Sequence, residues 1–119
     1  MERNSLVIID YPKKPYCLYT ITNYSVEDST IYIGVTSNYL ERAFTHAKNM
    51  NSKRYEAHPL YKWMNDLKNK GQKSNIKTIL KNLSEKEAYD KEKELICICR
   101  NNGFNVLNIA DGGKGYTGY

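Results

Sequence analysis

Tyr16-Cys17-Leu18-Tyr19-Thr20-Ile21-Thr22, a polar link from Asn23 to Ser29, then Thr30-Ile31-Tyr32-Ile33-Gly34-Val35-Thr36 form the most telling stretch of the chain. Aromatic and β-branched residues dominate both halves, the composition of pleated, buried strands. In the first half apolar groups fall on both faces, as in a central strand covered twice. The second half alternates cleanly. Ile31, Ile33 and Val35 face one way; Thr30, Tyr32, Gly34 and Thr36 face the other. A short polar link between two strands predicts an antiparallel hairpin. The Tyr32/Gly34 face is expected to be exposed, with the glycine leaving room for a bulky backbone to approach.

The helices follow from periodicity. Ser37 or Asn38 can cap a helix near 38–50, with Leu40, Ala43, Phe44 and Ala47 as its expected buried stripe. A polar basic loop, 51–57, leads to a second helix at about 59–69. Pro59 opens it, Gly71 ends it, and Leu60, Trp63, Met64 and Leu67 form its stripe. A third strand is expected at 75–81. Ser84-Glu85-Lys86-Glu87 is a capping box that opens a long helix to about Asn101. Residues 103–119 are glycine-rich and read as loop. The order β-β-α-α-β-α predicts an α+β fold: a small three-stranded antiparallel sheet flanked by helices. Residues 1–15 are expected to be an N-terminal arm or short extra strand, 16–113 one folded domain, and 114–119 a Gly/Tyr-rich tail.

The chain has 119 residues, which bounds it to one domain able to bury a sizeable core. Apolar residues are 40% and charged residues 26%, so a folded globular chain is expected rather than extended disorder. No apolar run reaches the ~18 residues of a membrane span, so no membrane partner is expected. The first residues lack the basic-then-apolar layout of a secretion signal. Three cysteines, Cys17, Cys97 and Cys99, are too few and odd in number for a disulfide scaffold, which points to a reducing, cytoplasmic compartment.

Charge is unevenly placed. The net charge is +5. Between 42 and 81 every acid but Glu56 and Asp66 is missing, while Lys and Arg recur throughout. Such a segment suits an anionic partner, and nucleic acid is the usual one. Lys48, Lys53, Arg54, Lys62, Lys68, Lys70 and Lys73 are candidates for tracking phosphates. They predict salt-sensitive, largely sequence-independent affinity. Backbone contacts do not report the sugar, so DNA, double-stranded or branched, and RNA both stay open on charge alone.

Chemistry-bearing motifs are sparse. No Cys-x-x-Cys occurs, and two histidines cannot build a His-rich zinc site. Tyr19 and Tyr32 can meet across the hairpin. Arg42 and His46, four residues apart, share a helix face. That face is offset from the expected apolar stripe, so His46 reads as a reactive rather than a packing histidine.

Cys17-Leu18-Tyr19, Tyr32-Ile33-Gly34, Arg42 and His46, taken in order, resemble the GIY-YIG nuclease family. The likeness continues through His58 to Gly71, Glu94 with Ile98, and Gly103-Phe104-Asn105, and so spans roughly 16–113. Cys17 and Leu18 stand where the family has Gly and Ile. The resemblance implies a divalent-metal DNA endonuclease, either nicking or cutting both strands, of phage or mobile-element type. It implies Tyr19 as water activator with Tyr32 orienting the nucleophile or phosphate, Arg42 on the scissile phosphate, and His46 passing the proton on. Glu94 would hold Mg²⁺ or Mn²⁺, His58 would assist or contact phosphate, and Asn105 would hold the tyrosine or a backbone group. Specificity would come from inserts, a homodimer or a partner protein. The alternative is a non-catalytic binding or nuclease-partner module of the same fold.

Overall fold

A computed structural model of the chain describes residues 14–109. The elements are β1 (Tyr16–Asn23), β2 (Thr30–Thr36), α1 (Tyr39–Met50), α2 (Pro59–Asn69), β3 (Ser74–Leu83), α3 (Glu85–Asn101) and β4 (Asn105–Val106), with one 3₁₀ turn at Lys53–Tyr55. The protein is α+β, as expected. The sheet, however, has four strands in the order β3-β1-β2-β4, not three. β1 pairs antiparallel with both β2 and β3, while β4 runs parallel to β2. The sheet is therefore mixed. β4 is two residues long and lies in the segment read as loop. Its backbone bonds to Ser29 and Ile31 come from the open edge of β2 rather than from any local strand pattern. Most of the expected N-terminal arm and all of the expected tail lie outside the described residues.

Period-two alternation sorts the hairpin side chains onto two covered faces. Leu18, Ile33 and Val35 pack with Ala88, Ile96 and Cys99 of α3. Tyr19, Ile21 and Tyr32 pack with Leu60, Tyr61 and Met64 of α2. The Tyr32/Gly34 face is thus buried rather than exposed: Tyr32 keeps 5% of its surface and Thr30 and Thr36 little more. Tyr19 explains the glycine. It stands opposite Gly34 in the register, and a Cβ there would come within 2.6 Å of Tyr19 Cε1 and closer still to Cζ and Oη. Gly34 makes room for a side chain of its own sheet.

The helix ends follow the sequence. Asn38 caps α1 through its side chain, His58 caps α2 with Pro59 at the first turn, and Ser84 and Glu87 complete the capping box of α3. Gly71 and Gly103 take the positive φ that ends α2 and α3. The orientation of α1 is a correction. Leu40 and Phe44, expected in the core, are 79% and 75% exposed. The inward side carries Tyr39, whose hydroxyl donates to the Ile76 carbonyl on β3 (2.9 Å), and His46, which is fully buried. Polar residues with defined partners, not the most apolar ones, face the sheet.

Candidate active site

β1 and β2 set Tyr19 and Tyr32 side by side, with ring centroids 6.4 Å apart. α1 lowers His46 onto both, each 5.7 Å from the imidazole centroid. The Tyr19 hydroxyl and His46 Nε2 are 2.6 Å apart. On the other side of the ring, Nδ1 lies 2.8 Å from the hydroxyl of Tyr61 on α2. Asn49, one turn beyond His46, donates its amide to the same Tyr61 oxygen (3.2 Å). A single buried hydrogen-bonded row therefore runs Tyr19–His46–Tyr61–Asn49 and ties β1, α1 and α2 together.

Burial governs the protonation of this row. It pushes the Tyr19 hydroxyl well above its ordinary value; neighbouring Tyr32, Tyr61 and Glu92 add to the rise, and the Arg42 cation opposes it. A standing Tyr19 phenolate is thus absent at neutral pH, and the cations do not overcome the desolvation. Burial also lowers His46 to about 3, helped by the positive charges of Arg42 and His58, so its imidazole is neutral near pH 7. Tyr61 is pushed up to about 12 by burial, against the Asn49 hydrogen bond and Arg42. The charge of Arg42 is felt at Tyr19, His46, Tyr61 and, on α3, Tyr89. Arg42, half-buried, is the cation common to the site.

The structure gathers Tyr19, Tyr32, Gly34, Arg42 and His46 as the sequence suggested. It does not bring Glu94 to them. Glu94 is exposed and pairs with Lys91 one turn away (3.4 Å) on the outer face of α3. Two residues earlier on α3, Glu92 is buried, and its charge acts on Tyr19. The signal for it was present. Ala88, Ile96 and Cys99 mark the buried stripe of α3, and Glu92 fills the one step of that stripe left open. An acid at a core position needs a reason to be there.

Asn105 is not part of the buried row. It is exposed, and its amide donates to the Thr30 hydroxyl (3.2 Å) at the start of β2. The buried asparagine is Asn108. It accepts from the Ile33 N–H (3.0 Å) and donates to the Ile33 carbonyl (2.6 Å), prolonging the β4 pairing with a side chain. It thereby braces the backbone between Tyr32 and Gly34. His58 accepts from the Leu60 N–H through Nδ1 (3.2 Å) as the cap of α2, and its ring packs on Tyr61 at 5.0 Å. Tyr61, Asn49 and Asn108 were not singled out by sequence; their roles depend on partners distant in the chain.

Lys48, Lys53, Arg54, Lys62, Lys68, Lys70 and Lys73 are all exposed. Arg54 lies over the ring of Tyr55, 5.5 Å from its centroid. Among the described residues no helix is long and apolar enough to cross a membrane. No protein-family model, curated protein or solved structure matches the chain. The reading of the site therefore rests on its own geometry.

Proposed function

We propose that the chain is a divalent-metal-dependent DNA endonuclease of the GIY-YIG type, hydrolysing phosphodiester bonds. The observation that carries this reading is the 2.6 Å contact between Tyr19 and a neutral His46, with the Arg42 charge acting on both. A tyrosine–imidazole pair can move a proton, and a guanidinium suits the charge that builds on a phosphate under attack. The flanking lysines supply backbone affinity.

The acidic group that suits a hard divalent cation is Glu92, not Glu94. Among the described residues no three His, Cys, Asp or Glu side chains cluster. Mg²⁺ commonly takes one or two carboxylates and completes its shell with water and substrate phosphate, so one carboxylate whose charge reaches Tyr19 is sufficient. Bound there, the ion would neutralise phosphate charge. Arg42 would grip the phosphate, Tyr32 would pack beside it, and the Tyr19 oxygen, hydrogen-bonded to His46, would act on the proton of the attacking water. One such site cuts one strand, so double-strand cleavage requires two copies or two encounters.

The test is nicking of supercoiled plasmid with and without Mg²⁺, by wild type, Arg42→Ala, Glu92→Gln and Glu94→Gln. Metal-dependent nicking lost in the first two variants and kept in the third is expected. Equal cleavage by all four proteins would overturn the assignment. A second reading, a nucleic-acid-binding module without catalysis, is favoured by one feature: Tyr19 and His46 keep 0% and 2% of their surface. Salt-dependent DNA binding with no cleavage of supercoiled, linear or branched substrates would select it.

A further inference from the structure

The buried row holds more information than its distances. Each hydroxyl brings one proton, and the neutral imidazole brings one more. Among the described residues the Tyr61 oxygen meets only His46 Nδ1 and the Asn49 amide, and Tyr61 has no exposed surface. An amide N–H can only donate. The sole acceptor for the Tyr61 proton in this setting is therefore Nδ1. If Nδ1 instead carried the imidazole proton, the Tyr61 oxygen would accept twice and its own proton would be buried without an acceptor, at a cost of ~1–3 kcal/mol.

The same count applies to Tyr19, whose hydroxyl meets only Nε2 among the described residues. One of the two tyrosine protons must lack an acceptor within the row, whichever tautomer forms. The two ends differ in their surroundings. At Tyr61 the Asn49 amide already donates to the oxygen, so a proton on Nδ1 would crowd a third hydrogen against it, whereas among the described residues no second donor meets the Tyr19 oxygen. A hydroxyl proton turned away from His46 is therefore better placed at Tyr19 than at Tyr61.

We infer that Tyr61, backed by Asn49, is a positioning residue that fixes His46 as the Nε2–H tautomer, so that the imidazole donates to the Tyr19 oxygen. The direction of proton flow follows. His46 in this state does not take the Tyr19 proton. It donates to the Tyr19 oxygen and so supports negative charge there. This consequence for catalysis rests on the nuclease reading; the tautomer itself does not.

The tautomer is directly measurable by ¹⁵N–¹H correlation through the imidazole of His46 in the full chain. Wild type is expected to show a protonated Nε2 and an unprotonated Nδ1. Tyr61→Phe keeps the ring but removes the donor to Nδ1, and the two nitrogen signals are expected to exchange character as the proton moves to Nδ1. Asn49→Ala should shift the same equilibrium partway. A thermal melt of each variant confirms that the fold is intact. A proton on Nδ1 in wild type, or an unchanged tautomer in folded Tyr61→Phe, would overturn the inference. In the nicking assay Tyr61→Phe is expected to lower kcat roughly tenfold or more with KM within about twofold. The expected tautomer in a wild-type protein that cleaves no DNA would uphold the positioning role and remove the nuclease reading instead.

Discussion

Replacing Gly34 by alanine tests the packing on which the site depends. Glycine in a strand interior ordinarily costs ~0.5–1 kcal/mol relative to alanine, so the substitution would be stabilising if the β2 face were open. Here the new methyl would lie 2.6 Å from Tyr19 Cε1 and closer to Cζ and Oη. The ring cannot remain where it is. Tyr19 has no exposed surface, so it has no solvent side to retreat to. Forcing an extra methyl into a filled core costs ~1–3 kcal/mol. Moving the ring also breaks the 2.6 Å contact with His46 and leaves buried polar atoms unpaired, a further ~1–3 kcal/mol. The net expectation is a loss of about 2–5 kcal/mol and a fall in Tm of about 10 °C or more. Urea unfolding with an unchanged m-value reads the loss directly. A double-mutant cycle with Tyr19→Ala should show that most of it depends on the Tyr19 ring. A Gly34→Ala protein as stable as wild type would refute the close approach of Tyr19 to β2.

The exposed positions of Leu40 and Phe44 predict that Leu40→Ser and Phe44→Ser change urea stability by less than ~0.5 kcal/mol each; losses of ~2 kcal/mol or more would restore the opposite helix face to the core. Asn108→Ala strands both backbone groups of Ile33 and should cost about 2–4 kcal/mol, whereas Asn105→Ala, at an exposed site, should cost under ~1 kcal/mol. For His46 the native value of about 3 lies below its ordinary 6.5. The unfolded chain therefore takes up a proton below pH 6.5 that the native state refuses down to about 3. This contribution is complete above pH 6.5 and is lost as pH falls through that window, by about 1.4 kcal/mol per pH unit. The stability difference between wild type and His46→Gln should shrink accordingly between neutral pH and pH 4; a constant difference would refute the burial of a neutral His46.

Local signals and distant ones were not equally readable in the chain. β2 falls at Thr30–Thr36 as its alternation predicts, and the Ser84 capping box, Pro59, Gly71 and Gly103 mark helix ends by backbone rules that act within a few residues. β4 has no such signal. It is a pair of residues that becomes a strand because β2 offers an unpaired edge. Asn108 is harder still, since a side chain there acts as backbone for a strand 75 residues earlier. The hairpin is legible in the sequence, but the burial of its Tyr32/Gly34 face is not. Alternation tells which residues share a face, yet not whether that face is covered, and here α1 and α2 cover it.

The two features that apolar periodicity does not reveal, on α1 and α3, have one physical origin. A search of helical periodicity for apolar stripes finds Leu40 and Phe44 on α1 and passes over Glu92 on α3. In both helices the inward position is held by a titratable group, His46 and Glu92, at 2% and 4% exposure. Burying such groups is unfavourable unless they are hydrogen-bonded or paired. His46 meets this condition with hydroxyls at both ring nitrogens, each supplied by a different element. The better rule for a chain of this kind is to look for the polar residue that interrupts an apolar spacing. At Glu92 the spacing Ala88–Ile96 points to it directly. At His46 the interruption is concealed, because Leu40 and Phe44 offer a more apolar stripe elsewhere on the same helix. Turning α1 to bury Leu40 and Phe44 would withdraw His46 from Tyr19 and Tyr61 and leave both buried hydroxyls without it. On that balance the polar row, not the apolar stripe, sets the orientation of α1.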